Sequence, residues 1–317
     1  LNVQVVLLDV GHAAPAKQIN YLPESSSSSS SSSAHPQQHV DGAFSDPEKI
    51  TEVAKKVDVL TIEIEHVDAK QLQHVLDQGI VPAVHPLPST IAMIQDKYEQ
   101  KLHLVSKKVA VADFLPIEDD LPQSIRQAGA KFGYPLMLKS RTHAYDGKGN
   151  FVCKSEANIP AAIEALGGGK RKLYAERWAP FSMEVAVMVV RSASGVVQSY
   201  PAVETIHKDN ICHTVFAPLR SSTDRTIPAR ARDLAERAVA TFGGAGVFGV
   251  EMFLMPNGEL LINEIAPRPH NRSVTLPVPS FVVYKRAGPR VSVSNTGLNG
   301  CIHPSSLIML RLTSYLV

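Results

Sequence analysis

Short apolar runs alternate with amphipathic stretches along most of the chain. NVQVVLLDV, residues 2–10, is a buried type of strand that ends on Asp9. DPEKITEVAKKV, 46–57, has helical spacing, with Asp46 placed to cap it and Pro47 in its first turn. DVLTIEIE, 58–65, is a strand, and the pattern then predicts a helix near 68–78, a short strand near 80–84 and a helix near 89–106. That alternation points to an open α/β sheet. A second module follows: a helix near 122–132, the strand PLMLK, a strand near 151–153 and a helix near 155–166. KLYAERW and FSMEVAVMVVRS read as strands, 228–242 as a helix, and VFGVEMFLM and GELLINEIA as the closing strands. Two segments break the pattern. PESSSSSSSSSAHPQQH, 23–39, is of low complexity and is expected to be a disordered surface loop. Beyond Asn271 no period of 2 or 3.6 is evident and no acidic residue occurs, so no regular element is expected in 272–317.

Composition narrows the classes. The chain has 317 residues, a formal net charge of +2 and 44% hydrophobic residues, which argues against a nucleic-acid or membrane-surface partner. No apolar run approaches the roughly 20 residues of a membrane span. Cys153, Cys212 and Cys301 are scattered and odd in number, which suits reduced thiols and a cytoplasmic setting. The chain starts on Leu1 inside an apolar run, so its start reads as incomplete.

Three features carry candidate chemistry. In VEMFLMPNGELLINE the Asn257-Gly258 pair is a two-residue hairpin signal. With that turn Pro256 lies opposite Glu259, and counting back sets Glu251 opposite Glu264. Facing carboxylates on an otherwise apolar strand pair need a cation or a shared proton, and Mg²⁺ (or Mn²⁺) with Asn263 as a neutral oxygen donor answers that need. A solvated edge, or a longer turn in another register, is the other reading. Glu184 is a lone acid on the apolar strand 181–192, satisfied either by a ligand hydroxyl or by a Lys or Arg from elsewhere in the chain. KSRTHAYDGKGN, 139–150, puts Lys139 at a strand end before a loop with Gly147, Lys148 and Gly149. Such a loop can wrap phosphate oxygens or be a solvated hairpin tip. It is neither a P-loop nor a dinucleotide fingerprint.

A strand-end lysine, a glycine loop, an acid-bearing strand and a two-carboxylate hairpin, in that order, resemble the ATP-grasp superfamily. The strings APAKQIN, HVDGAFSDPEKI, DVLTIEIEHVD, HPLPSTIAMIQDKYEQK, KSRTHAYDGKGN, YAERWAPFSMEVAVMVVR, SYPAVETIHKDNICH and GVFGVEMFLMPNGELLINEIAPRPHN are similar to the N5-carboxyaminoimidazole ribonucleotide synthetases within it. In fungi these form the N-terminal part of phosphoribosylaminoimidazole carboxylase. The resemblance covers about residues 2–20 and 39–271.

That resemblance implies a truncated Rossmann-like α/β pre-ATP-grasp domain over 1–88, an ATP-grasp domain over 89–271 with its lid near 110–178, and a tail outside the family. It implies ATP as nucleotide, Mg²⁺, bicarbonate as co-substrate and 5-aminoimidazole ribonucleotide as acceptor, in a homodimer. Lys97 and Lys139 would contact phosphates, and Ala144, Tyr145, Asp146, Gly147, Lys148, Gly149 and Asn150 would close over them. Glu176, Arg177, Trp178 and Ala179 would line the adenine pocket. Glu184 would hold the ribose, with His207 nearby. Glu251, Glu264 and Asn263 would carry the metal. Arg268, His270 and Asn271 would face the substrates, with Tyr145 and Asp146 near the reacting amine. The chain departs from the family in lacking its glycine-rich first strand-turn, in the serine run, and in switching to unrelated sequence at Arg272. The switch is expected to be a gene-model artefact or a retained intron, which transcript sequencing across the junction decides. A non-catalytic nucleotide-binding remnant and another ATP-grasp carboxylate–amine ligase are the competing readings.

Overall fold

The computed structural model describes residues 3–11, 13–14, 16–17, 39–142, 149–208, 211–217, 219, 224–269 and the backbone of 281–286. The serine run and the glycine-loop residues 143–148 lie outside them.

Three sheets, each with its own core, organise these residues. The first is built from β1 (Val3–Asp9), β2 (Val40–Asp41), β3 (Val59–Thr61) and β4 (Ala83–His85), with helices α1 (Pro47–Ala54) and α2 (Ala69–Asp77). α1 starts where Asp46 accepts from the backbone N–H groups of Glu48 and Lys49, and it buries Ile50, Val53 and Ala54, one face at helical spacing. Asp68 caps α2 in the same way. β1–β2 and β3–β4 are parallel pairs.

The helix expected over 89–106 is two helices, α3 (Pro88–Gln95) and α4 (Lys97–Ser106). Asp96 adopts an extended conformation (φ −95°, ψ 103°) and its carboxylate accepts from the N–H groups of Tyr98 and Glu99. The same carboxylate takes a bidentate ion pair from Arg141, at 2.7–3.1 Å. Apolar spacing runs on through the break, which is why periodicity alone does not reveal it; the capping aspartate does.

The second sheet has the order β5 (Phe114–Ile117), β8 (Leu173–Arg177), β6 (Leu136–Ser140), β7 (Asn150–Cys153), covered by α5 (Leu121–Phe132) and α6 (Ile159–Ala165). The third runs β12 (Ile211–Phe216), β11 (Val203–Lys208), β9 (Met183–Arg191), β13 (Gly246–Leu254), β14 (Leu260–Ala266), with β10 (Val197–Ser199) on β9 and α7 (Ile227–Ala240) against one face. That face carries Val185, Val187, Val189, Phe248, Val250 and Met252, all almost fully buried. The opposite face is left for Glu184, Ala186 and the residues paired with them.

The tail departs from expectation. Phe281–Arg286 forms β15, antiparallel to β1 over six residue pairs and to β3 over two, in the middle of the first sheet.

Candidate active site

The β13–β14 hairpin sets the carboxylates. Its turn is longer than expected: the Met255 N–H donates to the Glu259 carbonyl and Leu254 faces Leu260, with Gly258 at φ 82° closing a three-residue loop. That shifts the register by one. A β-bulge between Glu251 and Met252 shifts it back, and Glu251 faces Glu264 after all. The expected pairing is correct, although the turn behind it is not. The bulge also makes Asn263 the extra residue, and Asn263 turns toward the same cleft as Glu264, where it accepts from Lys139 Nζ at 3.2 Å.

Register then lines up the remaining acids. Glu251 is opposite Ala186 on β9, and Glu184 is two residues along, opposite Thr205 on β11. Directly opposed residues share a face, so Glu184, Glu251 and Glu264 all lie on the face away from the core. Glu184 pairs with His207 Nδ1, a partner that is neither Lys nor Arg.

One helix-borne cation and one strand-end cation meet this face, and a second helix-borne cation lies buried behind them. Lys97, the first residue of α4, lies 2.5 Å from Glu264 Oε2. Burial pushes the Lys97 ammonium down, but Glu264, Glu251 and Glu65 more than offset it, and its pKa rises. Gln100 fixes the helix against the strand: its amide donates to the Ile265 carbonyl at 2.8 Å and accepts from the Ile265 N–H at 3.0 Å. Lys139, at the end of β6, sits 2.8 Å from Glu176 Oε2, and Lys101 sits 2.9 Å from Glu176 Oε1. Burial pushes the Glu176 carboxyl up, yet the two lysines bring it down to about 2.

A cavity of about 140 Å³ opens beside these groups, lined by Glu65, Gln95, Lys97, Thr142, Glu264 and Ala266 among others. Glu65, one of the lining residues, holds Arg268, with its second contact at 3.3 Å. Burial alone would raise the Glu65 carboxyl; the Arg268 guanidinium lowers it to about 2. Glu63, two residues earlier, is raised to about 8 by burial, with only the Arg268 charge opposing.

The structure thus brings together Lys97, Lys139, Glu251, Asn263 and Glu264, and places Glu184 with His207 on the same sheet face. Gly149 (φ 95°) and Asn150 lead into β7, and the Gly149 carbonyl accepts from the Ser140 N–H at 2.7 Å. Glu176 points its carboxylate at the two lysines rather than into an open pocket. Arg177 is turned outward to Asp113 (2.9 Å) and the Phe132 ring, while Trp178 is exposed and Ala179 half-buried. Ala144, Tyr145, Asp146, Gly147, Lys148, His270 and Asn271 lie outside the described residues. Sequence reasoning missed Lys101, Glu63, Glu65 and Asp96. The signals available were Lys97 and Lys101 four apart on one helix face and acids at alternate positions in TIEIE.

Two opposed carboxylates with an adjacent amide oxygen form an all-oxygen donor set. No group of three His, Cys, Asp or Glu side chains arranged to hold a metal ion occurs among the described residues. Such a set suits a hard cation that keeps water or phosphate oxygens as its other ligands. Among those residues no helix is long and apolar enough to cross a membrane.

Comparison with known proteins agrees with this arrangement. A ribonucleotide synthetase pre-ATP-grasp domain model matches residues 1–95, and an ATP-grasp domain model matches 102–277. The phosphoribosylaminoimidazole carboxylase of Ogataea methanolica is 53% identical over 271 residues, 86% of this chain and 46% of that protein. The chain therefore spans less than half the length of that relative. The carboxyaminoimidazole ribonucleotide synthase of Aspergillus clavatus complexed with ATP superposes with a TM-score of 0.74 at 44% identity, over 84% of this chain and 64% of that one. The N5-carboxyaminoimidazole synthase of the same organism, in complex with ADP and 5-aminoimidazole ribonucleotide, gives 0.73 at 42% identity, with the same coverage. The chain belongs to the ATP-grasp family, in the branch where a ribonucleotide synthetase pre-ATP-grasp domain precedes the ATP-grasp domain.

Proposed function

We propose that this chain binds Mg-ATP across the cleft between the second and third sheets and uses it to carboxylate the amine of 5-aminoimidazole ribonucleotide, a step of purine biosynthesis. The observation that carries the reading is the Glu251–Glu264 pair with Asn263 in its bulge, faced by Lys97 and Lys139. Bicarbonate oxygen attacks the γ-phosphorus and ADP leaves, giving carboxyphosphate. The exocyclic amine then takes the carboxyl group, and inorganic phosphate and the amine proton depart.

Positioning and charge neutralisation dominate phosphoryl transfer. Lys139 and Lys97 supply cations aimed at the phosphates, and Lys97 exchanges its Glu264 contact for phosphate oxygen when the nucleotide enters. The divalent ion, held by Glu251, Glu264 and Asn263, supplies further neutralisation when bound. Glu184 and His207 are placed to hold a polar edge of the nucleoside, the ribose hydroxyls in this reading. Arg268 faces the acyl phosphate. The loop 144–150 excludes water, which would otherwise hydrolyse that intermediate. Bicarbonate, the homodimer and the cytoplasmic setting belong to the same reading; the free thiol of Cys153 suits a reducing compartment.

The test is phosphate release by the purified chain with Mg-ATP and bicarbonate, with and without the ribonucleotide. Release that rises with the ribonucleotide and is lost in Glu264→Ala supports the synthetase. Release lost in Glu264→Ala but indifferent to the ribonucleotide restricts the chain to an ATP half-site. No release and no Mg-ATP binding sinks the reading.

A further inference from the structure

Lys101 has no role in the chemistry above, yet it is one of the most buried side chains among the described residues, 2% exposed, and its Nζ ends 2.9 Å from a carboxylate. It occupies one oxygen of Glu176 while Lys139 occupies the other. Burial and the Lys139 charge push the Lys101 ammonium down against the pull of Glu176; with both lysines protonated, the two ammonium groups and one carboxylate leave a surplus positive charge. Burying a net charge is costly unless an opposite charge is near.

The surplus has one way out. Side-chain exposure is 2% for Lys101, 4% for Glu176 and 11% for Lys139. Of the three, Lys139 is the one that reaches the cleft, through Asn263. If Glu176 had Lys139 as its sole partner, the two would close into a neutral pair and Lys139 would offer an incoming anion little net charge. With Lys101 on the far oxygen, the carboxylate is already neutralised from behind.

We propose that Lys101 is a positioning residue for Lys139: it lets Glu176 hold the Lys139 ammonium in place while leaving its charge available to a phosphate. Lys101 lies one turn beyond Lys97 on α4, the helix that Gln100 pins to β14, so one rigid element sets both the direct cation and the hidden one. The inference rests on the nucleotide reading for its natural ligand, and on charge alone for its logic.

The charge argument predicts an unusual split. Removing one member of a buried ion pair ordinarily destabilises strongly. Lys101→Met instead leaves Glu176 and Lys139 as a neutral pair, so the melting temperature of the full chain should fall by no more than a few degrees. Affinity for Mg-ATP, measured by titration calorimetry, should drop about ten- to hundredfold, the range for losing one charge-assisted interaction. The double variant Lys101→Met/Glu176→Gln frees the Lys139 charge again and should recover most of the affinity. A Lys101 that only supports the fold gives the reverse result: a large loss of melting temperature, unchanged affinity in the folded protein and no recovery in the double variant. That outcome overturns the proposal.

Inorganic tripolyphosphate is titrated in parallel. If the native chain binds it with the same variant pattern but does not bind Mg-ATP, the nucleotide reading fails and the charge device stands. If neither anion binds the native chain, the device is refuted as well.

Discussion

Glu63 and Glu65 stand two residues apart and titrate at opposite ends of the range because Arg268 hydrogen-bonds Glu65 and reaches Glu63 only with its charge. Arg268 is on Glu65, whose carboxyl falls to about 2, whereas burial leaves Glu63 at about 8. Above an unfolded value near 4.5, the folded state keeps a proton on Glu63 that the unfolded chain has released. That stabilisation is complete below pH 4.5 and is lost as pH rises toward 8. Glu63→Gln should therefore flatten the decline in melting temperature between pH 6 and 8 relative to the parent; an unchanged slope refutes the assignment. Glu176 behaves oppositely: its contribution is present above about 4.5 and lost as pH falls toward 2. At this scale much of the site was legible before the fold was known. Glu251, Glu264 and Glu184 stand out because acids on apolar strands are costly. Lys101 was legible only as a neighbour of Lys97 on one helix face; its burial was not, since a lysine inside a helical pattern reads as a solvated position, and its partner Glu176 lies 75 residues away in the chain.

Asp96 shows what a single residue can do for an element. It ends α3, caps α4 and receives Arg141, and so fixes where Lys97 begins the second helix. Asp96→Ala should cost about 1–2 kcal/mol for the cap, seen as a lower denaturation midpoint. It should also weaken Mg-ATP binding beyond what stability explains, because Lys97 is no longer fixed at the first turn. Normal affinity in the folded variant would count against that role. The hairpin is a lesson in how a correct expectation can rest on an incorrect element: a longer turn and a bulge cancel, and Glu251 meets Glu264 by a route that residue counting cannot see. Bulges and turn lengths depend on strand twist and on neighbours, which a local pattern does not encode. Gly258 at φ 82° is the residue that permits the longer turn. Gly258→Ala should destabilise by about 1 kcal/mol, with urea denaturation as the measurement.

Across the whole molecule, alternation of helix and strand indicated an α/β start and an α+β continuation, and the three separate cores follow that division. The first sheet did not follow from its own stretch of sequence. Its middle strand, β15, comes from a segment with no helical or strand period, and pairing with β1 and β3 rather than local pattern makes it a strand. Val283→Pro removes an N–H from a central strand. Hydrogen exchange should then quicken in β1 and β3 while β9 and β13 keep their protection; uniform protection would show that β15 does not hold this sheet together. The order of synthesis gives the same strand another meaning. β3 leaves the ribosome about 220 residues before β15, so the two halves of the first sheet wait roughly 10–40 s at ordinary elongation rates with two inward edges bare. For that interval the nascent chain is a template for any extended segment that passes, and its fate rests on which strand arrives first.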